Sequence, residues 1–204
     1  GAFLVVVSLV LLAVGWQSST EGLRRIVRES VPILVLAGCI SALAGVTLEK
    51  SFARFEALPA LLVLVPAHLS SSGALGGILS GRLSSKLFLG LVEPQTTPNR
   101  EARRDISLVA LLAVPVYVFN GVGAHWVASA LGEASPGLGQ MVAASLIGGA
   151  LAALFVVAVA YYGTIAAYRT GVDPDTYGIP LVSSSVDFVG AFTLIIAIAL
   201  LGLA

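Results

Sequence analysis

The chain has 204 residues, 57% of them hydrophobic and 11% charged, with a mean hydropathy of +0.99. Soluble domains carry about 25% charged residues, so the composition argues against a soluble domain and for a membrane protein. Eleven basic and eleven acidic residues cancel, which excludes a broadly basic nucleic-acid surface.

A bilayer core of roughly 30 Å needs about 20 apolar residues of helix. Six segments meet or approach that length: 1–16, 31–48, 59–81, 106–130, 139–167 and 178–204. The expected fold is therefore all-α, a polytopic membrane helix bundle of about six transmembrane helices. The first segment, GAFLVVVSLVLLAVGW, lacks the basic n-region and cleavage site of a signal peptide, and reads as a transmembrane helix. Residues 1–30 are expected to form an additional N-terminal helix with its linker, and residues 31–204 one membrane domain. Cys39 lies in the second apolar run and is the chain's single cysteine, so no intramolecular disulfide can form. It reads as a small buried hydrophobe.

The third segment and the residues after it read LPALLVLVPAHLSSSGALGGILSGRLSSK. Pro66 removes a backbone donor, and the glycines at 73, 76, 77 and 81 loosen the helix further. A bent or broken helix is expected here, with freed carbonyls and the hydroxyls of Ser70, Ser71 and Ser72 turned to a cavity. The alternative is close helix packing through small residues. A similar phrase, PLVSSSVD, runs from Pro180 to Asp187 in the last segment.

The connections divide unequally in charge. The first, third and fifth hold Arg24, Arg25, Arg28, Arg82, Lys86, Arg100, Arg103, Arg104 and Arg169, whereas the second and fourth hold Lys50 and Arg54. The positive-inside rule places the first, third and fifth connections in the cytoplasm and the C-terminus outside, in a multi-pass protein of the cell membrane.

Ten of the eleven acidic residues lie in or beside connections; Asp187 does not. It stands nine residues into the last segment, roughly 14 Å along a helix at 1.5 Å per residue. No Lys or Arg lies at that depth. Its charge must be met by protonation, by hydroxyls or by a bound cation, and an intramembrane ionisable residue marks function. Ser183 and Ser184 share its helical face at i−4 and i−3. Oxygen ligands of this kind suit hard divalent cations, and Mg²⁺ keeps most of its waters while meeting one or two carboxylates. His68 and His125 are secondary ligand candidates; each alone is more often a structural hydrogen-bonding residue.

The closing stretch GVDPDTYGIPLVSSSVDFVG resembles the last-helix signature of MgtE-type magnesium transporters. There a Gly-Val-Asp-Pro turn leads into Pro-Leu-Val, a Ser/Thr run and an aspartate. LPALLVLVPAHLSSSGALGGILSGRLSS is similar to VPALLGLKGN…RLS of the eukaryotic solute-carrier relatives. The resemblance covers about residues 31–204 and implies five family helices, preceded here by one more. It implies a homodimer with a central cation pore, and Asp187 as the pore residue meeting hydrated Mg²⁺. Ser183 and Ser184 would be pore hydroxyls and Pro180 the helix-starting proline. The family's Gly-Asn falls on Gly73 and Ala74, so the asparagine is missing, and Ser70, Ser71 and Ser72 are candidate replacements. The cytoplasmic sensor and nucleotide-binding domains of bacterial MgtE have no counterpart in this sequence.

The expected function is therefore transport of a divalent cation, foremost Mg²⁺, by a non-enzymatic bilayer protein. An exchanger coupled to Na⁺ or H⁺ and a non-conducting regulatory subunit are the alternatives. An intramembrane serine protease built on Ser72 and His125 is disfavoured, since nothing in the sequence marks Ser72 as an activated nucleophile.

Overall fold

The computed structural model describes residues 13–16, 21–55 and 58–203. The first expected span, 1–16, lies outside the described residues except for 13–16, which are helical. Five long helices follow: α1 (Glu21–Phe55), α2 (Ala60–Phe88), α3 (Arg100–Ala130), α4 (Leu138–Arg169) and α5 (Pro174–Leu200). Each contains a stretch long and apolar enough to cross a membrane; in α1 it is Ser30–Glu49. The protein is an all-α membrane helix bundle.

The helices overrun the apolar segments at their ends because polar residues continue the backbone hydrogen bonding beyond the hydrocarbon. Thus Arg82 and Lys86 belong to α2, and Arg100 through Asp105 open α3. Terminal chemistry sets the limits. The Asn99 side chain accepts from Ala102 N at 2.9 Å and caps α3. Asp173 caps α5, accepting from Asp175 N at 3.0 Å, and Pro174 occupies the first turn. Gly171, at φ +73°, takes the left-handed turn that ends α4.

The expected break in α2 does not occur: Ala60–Phe88 is one helix with Pro66 inside it. Proline deletes one bond, to the Leu62 carbonyl, and the burial of Leu61, Leu64 and Val65 around it holds the helix together. α1, α3 and α5 likewise carry Pro32, Pro115 and Pro180 internally. Of the two readings of the Gly/Ser-rich segment, close packing accounts for Gly76, whereas Cβ atoms on Gly77 and Gly81 would meet nothing within 4 Å and one on Gly73 would meet Ser183 Oγ at 3.7 Å. A Cβ on Gly76 would stand 2.4 Å from Val182 Cγ1, and one on Gly178 would stand 2.5 Å from Ser80 Oγ.

Helices α2 to α5 form the body of the bundle, with α4 and α5 in the closest association. α1 lies against α5 and barely touches α2. Hydrocarbon-facing positions are apolar, with Phe119, Leu154 and Leu111 each at least 70% exposed. Cys39 is also exposed on α1, so it faces outward from the bundle and not into it. Antiparallel succession puts the α2–α3 connection, the end of α4 and the start of α5 at one end. There Tyr161 donates to Gln95 O at 3.0 Å and the Arg169 guanidinium to Pro94 O. At the other end Ala60 N donates to Ala134 O at 3.3 Å.

Candidate functional site

Asp187 lies in the middle of α5 and is half-buried. Its carboxylate Oδ2 accepts a hydrogen bond from Ser41 Oγ of α1 at 3.0 Å. No ion pair with a basic side chain reaches it among the described residues. One turn earlier on the same face, Ser183 is exposed. Across from it on α2 is Gly73, where a Cβ would lie 3.7 Å from Ser183 Oγ. Asp187, Ser183 and Gly73 therefore belong to one surface, formed where α5 crosses α2, with Ser41 at its margin.

The three serines of α2 diverge because successive residues on a helix turn by about 100°. Ser70 is exposed, on the side that carries Ala74. Ser71 exchanges hydrogen bonds with Asn120 of α3, donating to Oδ1 at 3.3 Å and accepting from Nδ2 at 2.9 Å. Ser72 is buried, donating to His68 O at 2.8 Å and sharing a 2.7 Å hydrogen bond with Tyr117 Oη. Ser184 is also turned inward, 3% exposed, with its hydroxyl on Pro180 O at 2.9 Å. A hydroxyl bonded to its own i−4 carbonyl is satisfied within the helix. Of the serines singled out in the sequence, Ser70 and Ser183 reach the open surface.

The histidines sit elsewhere. His68 is fully buried against Tyr117, ring centroids 5.4 Å apart, with Gly148 and Gly190 leaving room for its ring. His125 Nδ1 bonds Ser135 Oγ at 3.0 Å near the end of α3. Neither approaches Asp187 by hydrogen bond, and Ser72 and His125 each have a different partner, so no Ser–His pair is formed between them. Among the described residues no three His, Cys, Asp or Glu side chains cluster closely enough to cage a metal ion. One carboxylate with neighbouring hydroxyls fits a cation that keeps its water shell.

From Gly73 the surface continues along α2. Cβ atoms placed on Gly77 or Gly81 would meet nothing within 4 Å, so one turn after another presents bare backbone to open space. An open hollow of about 520 Å³ lies there, lined by Gly77, Ile78, Gly81, Arg82, Ser85 and Lys86. At its end two positive side chains are met by carboxylates of α3. Arg82 Nε donates to Asp105 Oδ1 at 2.9 Å, and Lys86 Nζ lies 2.9 Å from both Asp105 Oδ2 and Glu101 Oε2. The Asp105 side chain is fully buried beneath them. In the sequence Asp105 stands beside a connection with nothing local to mark it, since its partners lie 19 and 23 positions away in another helix.

Two polar side chains lie far along the sequence from the residues they bond. Ser41 lies in the second apolar run, 146 positions from Asp187, and nothing beside it in the sequence marks it. Asn120, a polar residue inside a predicted span, bonds Ser71 and donates from Nδ2 to Ala67 O at 3.3 Å rather than reaching Asp187.

Residues 65–197, from α2 into α5, match the MgtE family model, described as a divalent cation transporter. No curated protein matches the chain.

Proposed function

The chain belongs to the MgtE family of divalent cation transporters, and on that premise we propose that it carries Mg²⁺ across the membrane past Asp187. The observation that carries this reading is a half-buried carboxylate at mid-span, on the outer surface of the bundle, with one serine as its partner. An Asp at the centre of a membrane helix costs roughly 3 kcal/mol, so this surface is not one to leave against lipid. A second copy related by a two-fold axis would cover it and set two Asp187 carboxylates across one path.

In that arrangement the ion stays hydrated. Its waters meet the Asp187 oxygens, with Ser183, Ser70 and the backbone beside Gly73 as further oxygen contacts. Ser41 holds Oδ2 and leaves Oδ1 to the ion's water shell. The glycines at 77 and 81 give the shell room along α2. Arg82 and Lys86 at the end of the hollow do not repel the dication, because Asp105 and Glu101 offset their charge. The path has its Arg/Lys-rich end in the cytoplasm by the positive-inside rule, with the C-terminus outside. Inward movement of a dication gains about twice 2.3 kcal/mol per 100 mV of membrane potential.

Flux of Mg²⁺ into proteoliposomes containing the purified chain tests the reading. Asp187→Asn should abolish it while leaving the thermal melting of the protein unchanged. Wild-type flux in that variant would overturn the assignment, and dependence of flux on a Na⁺ or H⁺ gradient would make the protein an exchanger.

A further inference from the structure

On the side of the bundle formed by α3 and α4, a groove of about 350 Å³ runs between the two helices. Its walls include Ile106, Ala110 and Tyr117 of α3 and Leu146, Ala150 and Val157 of α4. The walls are almost wholly apolar, and the Tyr117 hydroxyl is turned inward to Ser72. The volume falls within the roughly 300–1,000 Å³ of ligand pockets. From Ile106 to Tyr117 the helix rises about 16 Å at 1.5 Å per residue, close to one leaflet of a core about 30 Å thick. Alanines on both walls keep the groove open where larger side chains would close it.

Just beyond Ile106, α3 begins with a second hollow of about 510 Å³, lined by Arg100, Glu101, Arg103, Arg104 and Ser107. Arg103 precedes Ala110 by seven residues, two turns, and so stands in line with the groove. It spends its Nε on Pro98 O at 2.9 Å. No side-chain hydrogen bond or salt bridge among the described residues engages the guanidinium of Arg100 or Arg104. After the Lys86 hydrogen bond, the Arg104 charge helps hold the Glu101 carboxyl below its ordinary range, and the Arg104 carbonyl accepts from Ser107 Oγ at 2.9 Å. The one carboxylate in the hollow, Glu101, is held by Lys86 at 2.9 Å. Asp105 is buried on the other side of the helix, against Arg82 and Lys86. Three arginines therefore line one hollow at a helix N-terminus, which itself favours an anion; Arg103 stands in line with the apolar groove, with Arg100 and Arg104 farther round the helix.

We infer that this is a binding site for an anionic phospholipid, its phosphate-bearing headgroup against Arg100, Arg103 and Arg104 and one acyl chain between α3 and α4. Free phosphate would use the arginines and leave the groove empty, and a zwitterionic lipid would use the groove and gain little from the arginines. The site shares Glu101 with the Lys86 pairing but not Asp105, and it does not depend on the transport reading.

The delipidated full chain in detergent, titrated by native mass spectrometry with dioleoylphosphatidylglycerol and dioleoylphosphatidylcholine, tests the inference. The anionic lipid should bind about tenfold tighter, given the attraction expected per basic residue near the membrane surface. Arg100→Gln/Arg104→Gln should erase that preference, whereas Arg28→Gln on α1 should retain it. Ala150→Phe, or Ala110→Leu if the larger residue impairs folding, should weaken both lipids. Equal binding of the two lipids by the wild-type chain, an unchanged preference in the double arginine variant, or undiminished binding in the groove variants would overturn it.

Discussion

Ser41 of α1 donates to the Asp187 carboxylate of α5 at 3.0 Å, across 146 positions of sequence. This contact binds the peripheral helix to the one carboxylate at mid-membrane. It gives α1 a role in the site although the matched family region begins at Val65. A hydroxyl-to-carboxylate bond is worth about 1.5–3 kcal/mol when well shielded, and less at this half-buried position. Ser41→Ala should slow Mg²⁺ flux by roughly three- to tenfold at subsaturating ion. Ser41→Thr, which keeps the hydroxyl, should stay near the wild type. Flux assays in proteoliposomes with a fluorescent Mg²⁺ indicator would show the difference.

Removing the negative charge at Asp105 leaves Arg82 and Lys86 without their shared partner. Arg82 is half-exposed, so the loss to Asp105→Asn should be about 2 kcal/mol, seen as a lower melting temperature in detergent. If the hollow beside Arg82 is the ion's route, the same variant should also conduct Mg²⁺ more slowly. Raising ionic strength should then restore part of the flux by screening the exposed arginine. Flux insensitive to salt would place the route elsewhere.

Close approach of α5 to α2 depends on Gly178. Its added Cβ would fall 2.5 Å from Ser80 Oγ, which is itself bonded to Thr164 Oγ1 at 2.9 Å. Gly178→Ala should destabilise the bundle by roughly 1–3 kcal/mol. Combining it with Ser80→Gly removes the clashing hydroxymethyl and should recover part of the loss, a non-additivity that a double-mutant cycle of thermal melts would reveal.

Tyr117 is packed more tightly still: a Cβ on Gly149 would stand 2.3 Å from its ring. Gly149→Val should therefore separate α3 from α4 and prevent accumulation of folded protein, by monodisperse gel filtration. Tyr117→Phe keeps the ring and loses the hydrogen bond to Ser72, at a cost of about 1 kcal/mol.

If two copies meet on the surface that carries Ser70 and Ser183, cysteines there will be close to their own symmetry mates. In a Cys39→Ser background, Ser70→Cys or Ser183→Cys should form disulfide-linked dimers under mild oxidation. A cysteine at Leu154, on the lipid-facing side of α4, should not. Cross-linking at Leu154 in preference to Ser70 would place the interface on the opposite side.

Much of this was written in the residues. Apolar runs located all five described spans, with ends within seven residues of those observed, since the apolar part of a span is set by the bilayer while polar residues extend the helix beyond it. Asp187 stood out because a carboxylate has no business in hydrocarbon without compensation. The inward turn of Ser72 and Ser184 was not legible: a run of three serines offers a hydroxyl to every side of a helix, and only the neighbouring helices decide which of them meets water. The continuity of α2 through Pro66 was likewise a matter of packing, because the lost bond is one among many that burial supports.

Sequence alone determined the class of protein, the number and position of the described spans and the residue around which transport is proposed. These follow from local properties, hydropathy and charge, that each residue carries wherever it stands. Tertiary structure decided the rest: that Ser41 reaches Asp187, that Asp105 lies under Arg82 and Lys86, and that α3 and α4 leave a groove near an arginine-lined hollow. Such pairings join residues distant in the chain, and they exist only because helix length, crossing and the small residues at the crossings bring particular faces together.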